Sequence, residues 1–536
     1  MIGKKIASLR EVAGLSQEEL AEALEVSRQS VSKWEMGQAL PGIHKILKMA
    51  ELFSVTTDEL LRDTVEVARL GKPQKPGHYF GTDGFRGEAG VSLTSMQAYR
   101  VGRFLGWYYG SPLAGRRGHR PRIVIGKDTR RSSYMLEYSL VAGITASGAD
   151  AYMLHVITTP GVSYVTHHDE FDCGVMITAS HNPYHDNGIK VLDRHGEKLG
   201  EEVTALIEAY LDGNLAGLGV VGDDLPFATR ERLGCIIDHV AGRNRYVGYL
   251  ISLASNSYRK LRIGLDCANG AAWNIGRTVF SALGAELHVI GDEPDGLNVN
   301  TNCGSTHMER LQNLVRERHL DVGFAFDGDA DRCLAVDETG RVVDGDAVLY
   351  ILARRLKGRG MLSGDTVVAT VMSNSGLRTS LSELGIRLAE TTVGDRFVYE
   401  CMQKHGYSLG GEQSGHTILK KYATTGDGLL TAIMIAEEMV DTKKTLSALT
   451  EGVRLYPQYM KSVSVRDKEA VLADEDVLAT LNDVRERIGG EGRVLLRPSG
   501  TEPKVRVMVE CKTAEEARAL TEEVCDAIRR GGHTCE

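Results

Sequence analysis

The sequence predicts a multidomain fold: an all-α head, three α/β domains and a smaller C-terminal α+β domain. Three observations carry this reading. Apolar residues recur at helical spacing at the start of the chain (Ile2, Ile6, Leu9, Val12). From residue 78 onward, apolar strands alternate with helices in three successive units. From residue 456 the texture changes again, to polar-edged strands followed by one long amphipathic helix.

Within the head, Ser16 and Glu19 form a capping box ahead of Leu20, Ala23 and Leu24. Val26-Ser27 opens a second helix, SRQSVSKWE, which Gly37 and Pro41 stop, and IHKILKMAELF follows. The stretch RLGKPQKPG (69–77) holds two prolines, two glycines and three cations, so residues 63–77 read as a linker. The first α/β unit runs through PRIVIGKDTR, SSYMLEYSLVAGITASGA, AYMLHVITTP, GVSYVTHHDEF and CGVMITAS. LRIGLDCANG, AELHVIG and DVGFAFDGDADR make the second; DTVVATVMSNSG, LRTSLSELG and IRLAETTVGD make the third. Strands this apolar are covered by helices, and such units place ligands at the carboxyl ends of their strands. KSVSVRDKE, GRVLLRPSGTEPKVRVMVECK and TAEEARALTEEVCDAIRR form the last domain. The expected boundaries are 1–62 for the head, then 78–235, 236–337, 338–455 and 456–536.

Composition narrows the function classes. At 536 residues the chain is too long for a single core. A net charge of −9 excludes a general nucleic-acid or anionic-membrane binder. Nine cysteines, scattered singly with no C-x-x-C pair, fit reduced thiols in the cytoplasm rather than a disulfide framework. MIGKKIASLREVAG lacks the apolar core of a signal peptide, and no apolar run reaches the ~18 residues of a membrane helix. The expectation is a cytoplasmic protein with no membrane partner.

Four loops carry chemistry. In GVMITASHNPYHDNGIK (174–190) an apolar strand ends at Ser180 beside His181. Neighbours on extended chain point to opposite faces, so His181 is poorly placed as a base, and no glycines flank Ser180 as in a nucleophile elbow. A serine hydrolase is therefore set aside. DGDADR (327–332) puts Asp327, Asp329 and Asp331 at alternate positions after the strand VGFAF. Three hard oxygen ligands at that spacing can converge on Mg²⁺ and leave room for a phosphate oxygen. A calcium-binding EF-hand loop is rejected because Arg332 stands where it needs glycine. LRPSGTEPKVRV (496–507) combines Arg497, Lys504 and Arg506 with Ser499 and Thr501 around Gly500, the makings of a phosphate cradle. In GGEQSGH (410–416), Glu412 and Ser414 lie two apart, a carboxylate and a hydroxyl suited to gripping adjacent sugar hydroxyls.

Taken in order, YFGTDGFRG (79–87), TASHNP (178–183), DGDADR, GEQSGH and RPSGTEPKVRV resemble the α-D-phosphohexomutase superfamily from residue 78 to the end. GLNVNTNCGSTH (296–307), TTVGDRFV (391–398), TGDGLLTA (425–432) and Gln413 are most similar to its phosphoglucosamine mutase branch. The resemblance implies three α/β mixed-sheet domains and the α+β domain around one cleft, one loop from each. It implies that Ser180 is the phosphorylated serine, primed by phosphorylation or by a sugar 1,6-bisphosphate. Mg²⁺ would be held by Asp327, Asp329, Asp331 and the phosphoserine, whose added charge the aspartates alone would repel. Arg332 would steady the transferring phosphoryl group, and Lys190 and His416 would be candidates for proton transfer. Arg86, His181, Gly394, Asp395, Glu412, Ser414, Arg497, Ser499, Gly500, Thr501 and Arg506 would meet the hexosamine phosphate. The implied reaction interconverts glucosamine 6-phosphate and glucosamine 1-phosphate through a 1,6-bisphosphate, supplying cell-wall precursors. Two departures stand out: Ala330 replaces a common glycine, and Thr178 a frequent serine. The second keeps phosphoglucomutase or phosphomannomutase activity in view.

Residues 1–62 resemble the phage-repressor-type helix-turn-helix, with Arg28, Gln29, Ser30 and Lys33 on the recognition helix able to reach bases or phosphates. The segment has 8 Lys+Arg against 9 Asp+Glu, so its DNA affinity is expected to be modest and salt-sensitive. Val31 and Trp34 are expected in its core. Reading a two-fold operator needs a homodimer, which the mutase portion could supply. A transcriptional regulator using the mutase body as a sugar-phosphate sensor is the alternative, weakened because the serine, the aspartates and the phosphate-loop arginines are all present.

Overall fold

The computed structural model describes residues 3–534 apart from 4–5, 8, 11–14, 25, 54–78, 82, 115–118, 216–217, 219, 221–222, 490–491 and 499–503. The expected linker lies outside the described residues. Two compact units divide the chain, Met1–His78 and Tyr79–Glu536.

In the first unit both halves of the Ser16–Glu19 capping box form, opening the helix Gln17–Ala23. Ser27 caps Arg28–Glu35 by accepting from the Ser30 amide, and Ile43–Leu52 follows. Ile6, Leu20, Leu24, Val31, Trp34 and Met49 make the core, so Val31 and Trp34 are inward as expected.

Four sheets organise the second unit. The first has seven strands in the spatial order Phe80–Gly81, Gly84–Glu88, Asp186–Asp193, Cys173–Ile177, Arg122–Lys127, Asp150–Val156, Ile236–Asp238. Arg122–Lys127 pairs in parallel with both of its neighbours, whereas Asp186–Asp193 runs antiparallel to Cys173–Ile177, so the sheet is mixed. The second sheet orders Val342–Val343, Cys333–Asp337, Val322–Phe326, Arg262–Asp266 and Glu286–Ile290. The third orders Arg387–Thr391, Thr366–Thr370, Leu409–Gly411 and Thr417–Leu419. The fourth is antiparallel, Gln458–Ser464, Lys504–Glu510 and Arg493–Pro498, packed by helices Glu475–Ile488 and Ala514–Arg530. Two short edge strands fall beyond the expected boundaries: Ile236–Asp238 joins the first sheet, past 235, and Val342–Val343 the second, past 337. Both are brief and polar-flanked, and only their pairing partners reveal them as strands.

No helix among the described residues is long and apolar enough to cross a membrane, and the eight described cysteines are all unpaired.

The third and fourth domains join through buried polar groups. Glu510 accepts from Arg493 Nε and Nη2, both at 3.0 Å, from Gln458 at 2.6 Å and from the Ser375 amide at 3.0 Å. Close by, the Asn374 amide donates to Asp346 Oδ2 at 2.7 Å, while Oδ1 of that buried carboxylate meets no hydrogen-bond donor among the described residues. Burial, with Asp344 and Glu510 as neighbouring charges, pushes Asp346 up to about 7. A carboxyl raised on folding stabilises fully below its unfolded pKa and loses that contribution as pH rises through the folded value. Asp346→Asn is therefore expected to melt a few degrees above the parent at pH 8, with the gain opening near pH 4 and levelling off near 7. Calorimetry across that range checks it; a gain independent of pH would contradict the burial argument.

Candidate active site

Ser180 follows the wholly buried strand Cys173–Ile177 and is itself 1% exposed. Its φ is +52°, in the left-handed region that non-glycine residues enter only when their surroundings impose it. The surroundings here do so. Arg130 donates to the carbonyls of Ser180 (2.9 Å), Asn182 (2.8 Å), Asp186 (3.1 Å) and Pro183. Asn300, from the next domain, donates to the Ser180 and Asn182 carbonyls at 2.8 and 3.0 Å. The Thr178 hydroxyl accepts from the Ser180 amide at 2.9 Å and donates to Asp128 at 2.7 Å. Threonine thus supplies the hydroxyl this position needs.

The left-handed turn also overturns one expectation. It swings His181 back, so that Nδ1 lies 3.4 Å from Ser180 Oγ instead of on the opposite face. Burial, with Arg332 and Arg86 nearby, pushes that imidazole down to about 4, which leaves it a weak base at neutral pH.

Ser180 Oγ donates to Asp327 Oδ2 at 2.6 Å, across the boundary between the first two domains. The loop bearing Asp327 leaves the buried strand Val322–Phe326 and turns at Ala330, whose φ of +53° explains why glycine is the easier residue there. Ligand oxygens of Asp327, Asp329 and Asp331 lie within 4.8 Å of one another. Asp329 Oδ2 receives the Thr159 hydroxyl at 2.5 Å, yet Oδ1 of Asp329 and Oδ1 of Asp331 are buried and meet no donor among the described residues. Such oxygens are costly unless something positive completes them. Burial and then the neighbours Asp331 and Asp329 hold the Asp327 carboxyl well above the usual range. Three converging hard oxygens, two with orphaned partner atoms, fit a small divalent cation.

Lys190 comes from the strand beside Ser180's, opposite Met176. Its Nζ reaches Asp329 at 2.9 Å, Asp331 at 3.3 Å and Asp83 at 3.1 Å. These carboxylates outweigh its burial and raise it well above the ordinary lysine value, while Lys190 in turn helps to hold Asp331 low. Arg86 pairs with Asp83 and donates weakly to Asn182 at 3.4 Å.

The third domain closes on this loop through its backbone. Cys333 N–H donates to the Gly415 carbonyl at 3.0 Å, a bridge that sets Arg332 beside His416. Asp327 and Asp331 raise Arg332 against its burial, with Glu412 adding to them. His416 is buried, with Nδ1 3.8 Å from Asp331 and Nε2 3.4 Å from Asp395. Those acids, against its burial, lift the imidazole to about 9. The Gly426 amide opposes them, because it donates to Nε2 at 3.0 Å and so favours a bare nitrogen there. Only glycine allows that approach: a Cβ on residue 426 would lie 2.6 Å from the ring.

Glu412 Oε1 accepts from the Gly394 amide at 3.1 Å, and the buried Ser414 hydroxyl has no hydrogen-bond partner among the described residues. Gln413 turns away, to Asp344 at 3.3 Å. Arg497 and Arg506 stand directly opposite each other on paired strands. Burial and its neighbour Arg506 lower Arg497. Ser499, Gly500 and Thr501 lie outside the described residues.

On the recognition helix Arg28, Gln29 and Lys33 are exposed, Arg28 pairing with Glu18 at 3.0 Å. Ser30 is half-buried, its hydroxyl 2.9 Å from that of Ser27.

Sequence reasoning missed Asp83, Asp128, Arg130, Thr159, Asn300 and the Gly426 contact. Asp83, Asn300 and Gly426 lie inside YFGTDGFRG, GLNVNTNCGSTH and TGDGLLTA, motifs of the family resemblance that assign these three residues no role.

The chain resembles known proteins over most of its length. Family models of phosphoglucomutase/phosphomannomutase match residues 77–216 (alpha/beta/alpha domain I), 244–340 (domain II), 344–456 (domain III) and 460–527 (C-terminal domain), and a helix-turn-helix model matches 6–60. The chain is 56% identical over 457 residues to phosphoglucosamine mutase of Lachnospira eligens, an alignment covering 85% of this chain and 99% of that protein. It is 45% identical over 453 residues to the phosphoglucosamine mutase of Bacillus subtilis, covering 84% and 98%. Among solved structures, a phosphoglucomutase/phosphomannomutase family protein from Burkholderia thailandensis aligns with a TM-score of 0.69 at 22% identity, over 85% of this chain and 97% of that one. Aspergillus fumigatus N-acetylphosphoglucosamine mutase in complex with GlcNAc-6P and magnesium aligns at 0.60 and 19%, over 87% and 98%, a likeness of fold.

Proposed function

Because the chain belongs to the phosphoglucosamine mutase family, we propose that it interconverts glucosamine 6-phosphate and glucosamine 1-phosphate, with Ser180 as phosphate carrier and the head as a DNA reader. The observation that carries the enzymatic reading is the buried Ser180 hydroxyl, 2.6 Å from Asp327 in a set of three converging aspartates.

Phosphoserine 180 transfers its phosphoryl group to the free hydroxyl of the bound sugar phosphate: the Oγ–P bond breaks and a sugar O–P bond forms. The resulting 1,6-bisphosphate turns over, and its other phosphate returns to Ser180. Asp327, Asp329 and Asp331 would hold Mg²⁺, which supplies charge neutralisation and polarises the phosphoryl oxygens. Arg332 ends the same loop and steadies the charge on the transferring group. Arg497 and Arg506 hold the phosphate that is not reacting, and Glu412 and Ser414 orient the ring hydroxyls. Priming comes from a sugar 1,6-bisphosphate or from direct phosphorylation of the serine.

The electrostatics divide the two proton-transfer candidates. Lys190, clamped by three carboxylates, keeps its proton and serves as charge balance. His416 carries the proton to and from the sugar hydroxyl, since at Nε2 the Gly426 amide and Asp395 pull in opposite directions, while Asp331 faces Nδ1.

Phosphorus NMR tests the assignment, with Mg²⁺ and a priming bisphosphate and with glucosamine, glucose and mannose 6-phosphates compared. Faster turnover of glucosamine 6-phosphate is expected. Faster turnover of glucose or mannose phosphate would reassign the substrate, and no turnover of a fully phosphorylated Ser180 would favour the sensor. For the head, fluorescence anisotropy with duplex DNA should show binding that weakens with salt and is lost in Arg28→Ala/Lys33→Ala.

A further inference from the structure

Asp395, expected among the substrate contacts, has its carboxylate already occupied. Lys198 of the first domain reaches across to it, Nζ 2.8 Å from Oδ1 and 2.7 Å from Oδ2. The same ammonium donates to Asp83 Oδ1 at 2.8 Å. These contacts close a circuit of alternating charge through three domains. It runs Lys190, Asp83, Lys198, Asp395, His416, Asp331 and back to Lys190, with every step at 3.8 Å or less.

The turn that presents Asp395 is built for one position. Gly394 has a φ of +131°, open only to glycine, and its amide is tied to Glu412. Asp395 then opens the helix Asp395–His405, where a carboxylate suits the positive end of the helix dipole. Glu412 therefore holds the turn from the sugar side and Lys198 holds the carboxylate from the first domain. The segment around Lys198 follows the same helix further: Glu197 accepts from Tyr399 OH at 2.5 Å and Gln403 at 3.0 Å, and Glu201 pairs with Arg396 at 3.0 Å.

We infer that Lys198 is a positioning residue: by clasping Asp395 across the boundary between the first and third domains, it fixes the carboxylate that faces His416 and so sets the imidazole over the sugar. This rests on the proton-transfer reading of His416. Lys198 touches neither the aspartate set nor Ser180 in the contacts described above. Its ammonium also meets Asp83, and its path to His416 runs through Asp395.

Steady-state kinetics on the full chain with glucosamine 6-phosphate, Mg²⁺ and a priming bisphosphate test it. Lys198→Met is expected to lower kcat about 30-fold with KM changed less than about 3-fold, the pattern of a misplaced catalytic group rather than lost binding. Asp395→Asn should give a similar drop, and the double variant should be no worse than the poorer single one. Glu201→Ala removes only the outer, exposed pair and should stay within about 2-fold of the parent. Lys198→Gln, with melting temperature measured for each variant, replaces Lys198→Met should that one fail to fold. An unchanged kcat in the Lys198 variant, or single losses that multiply in the double variant, would overturn the inference. His416→Gln separates the two readings. Undiminished turnover there removes proton transfer by His416 itself; lost turnover there, with normal turnover in Lys198→Met, removes only the positioning role.

Discussion

Ser180→Ala is expected to lower kcat by at least about 10³-fold while KM for the sugar phosphate changes little. With that hydroxyl as the proposed phosphate carrier, alanine removes a covalent step rather than weakening one. The rest of the site should survive the change. The left-handed turn is imposed by Arg130 and Asn300 acting on backbone carbonyls, and those contacts do not involve the Ser180 side chain. Alanine and serine tolerate that backbone equally, so the variant should fold. Asp327 loses one hydrogen bond, but its loop is fixed by the backbone bridge to Gly415. Mass spectrometry should find no phosphate on the variant after incubation with the priming bisphosphate. Turnover above a tenth of the parent's would mean that phosphate moves directly between sugars, and the carrier reading would fall.

What the sequence revealed is what short segments encode. The three aspartates sit at alternate positions of one loop, and Ser180 ends one buried strand, so the chemistry proposed for them rests on patterns a few residues long. The helical caps of the head are equally local, and Ser16 and Glu19 formed their box as read. The structure adds pairings between distant residues. Lys198 and Asp395 are 197 positions apart, and Asn300 and Ser180 are 120 apart. Nothing in either neighbourhood marks such a partner. The misreading of His181 has a different origin. Alternation of side chains assumes extended backbone, and a φ of +52° at Ser180 breaks that assumption where the strand meets the functional loop. Strained turns of this kind gather at active sites, so a period-based rule is least dependable where chemistry happens.

The aspartate set gives the second large effect, in which stability and activity move in opposite directions. Asp327→Asn is expected to lose at least about 10²-fold in kcat, because one proposed metal ligand is gone and the Ser180 hydroxyl no longer faces a carboxylate. Without metal, however, the same variant should melt at a higher temperature than the parent. Burial and then Asp331 and Asp329 hold the Asp327 carboxyl well above the usual range, so its ionised form strains the fold. A carboxyl raised on folding contributes fully below its unfolded pKa, and that stability disappears as pH rises through the folded value. Asparagine has no such loss, so its advantage in EDTA should grow as pH rises from the ordinary carboxylate range toward neutrality. Asp331 works with the opposite sign. Lys190 and His416 hold it low against burial, and its contribution is present above its unfolded pKa, falling away only in acid. Above about pH 4 the trend therefore belongs to Asp327. Saturating Mg²⁺ should reverse the order, since a ligand at 100 times its Kd stabilises by about 2.7 kcal/mol. The parent would gain that and the variant little of it. Melting curves of both proteins with EDTA and with Mg²⁺, at pH 5 and pH 8, decide the matter. A parent that gains nothing from the cation, or a variant that melts lower in EDTA at pH 8, would show that the three buried carboxylates are satisfied by the protein alone.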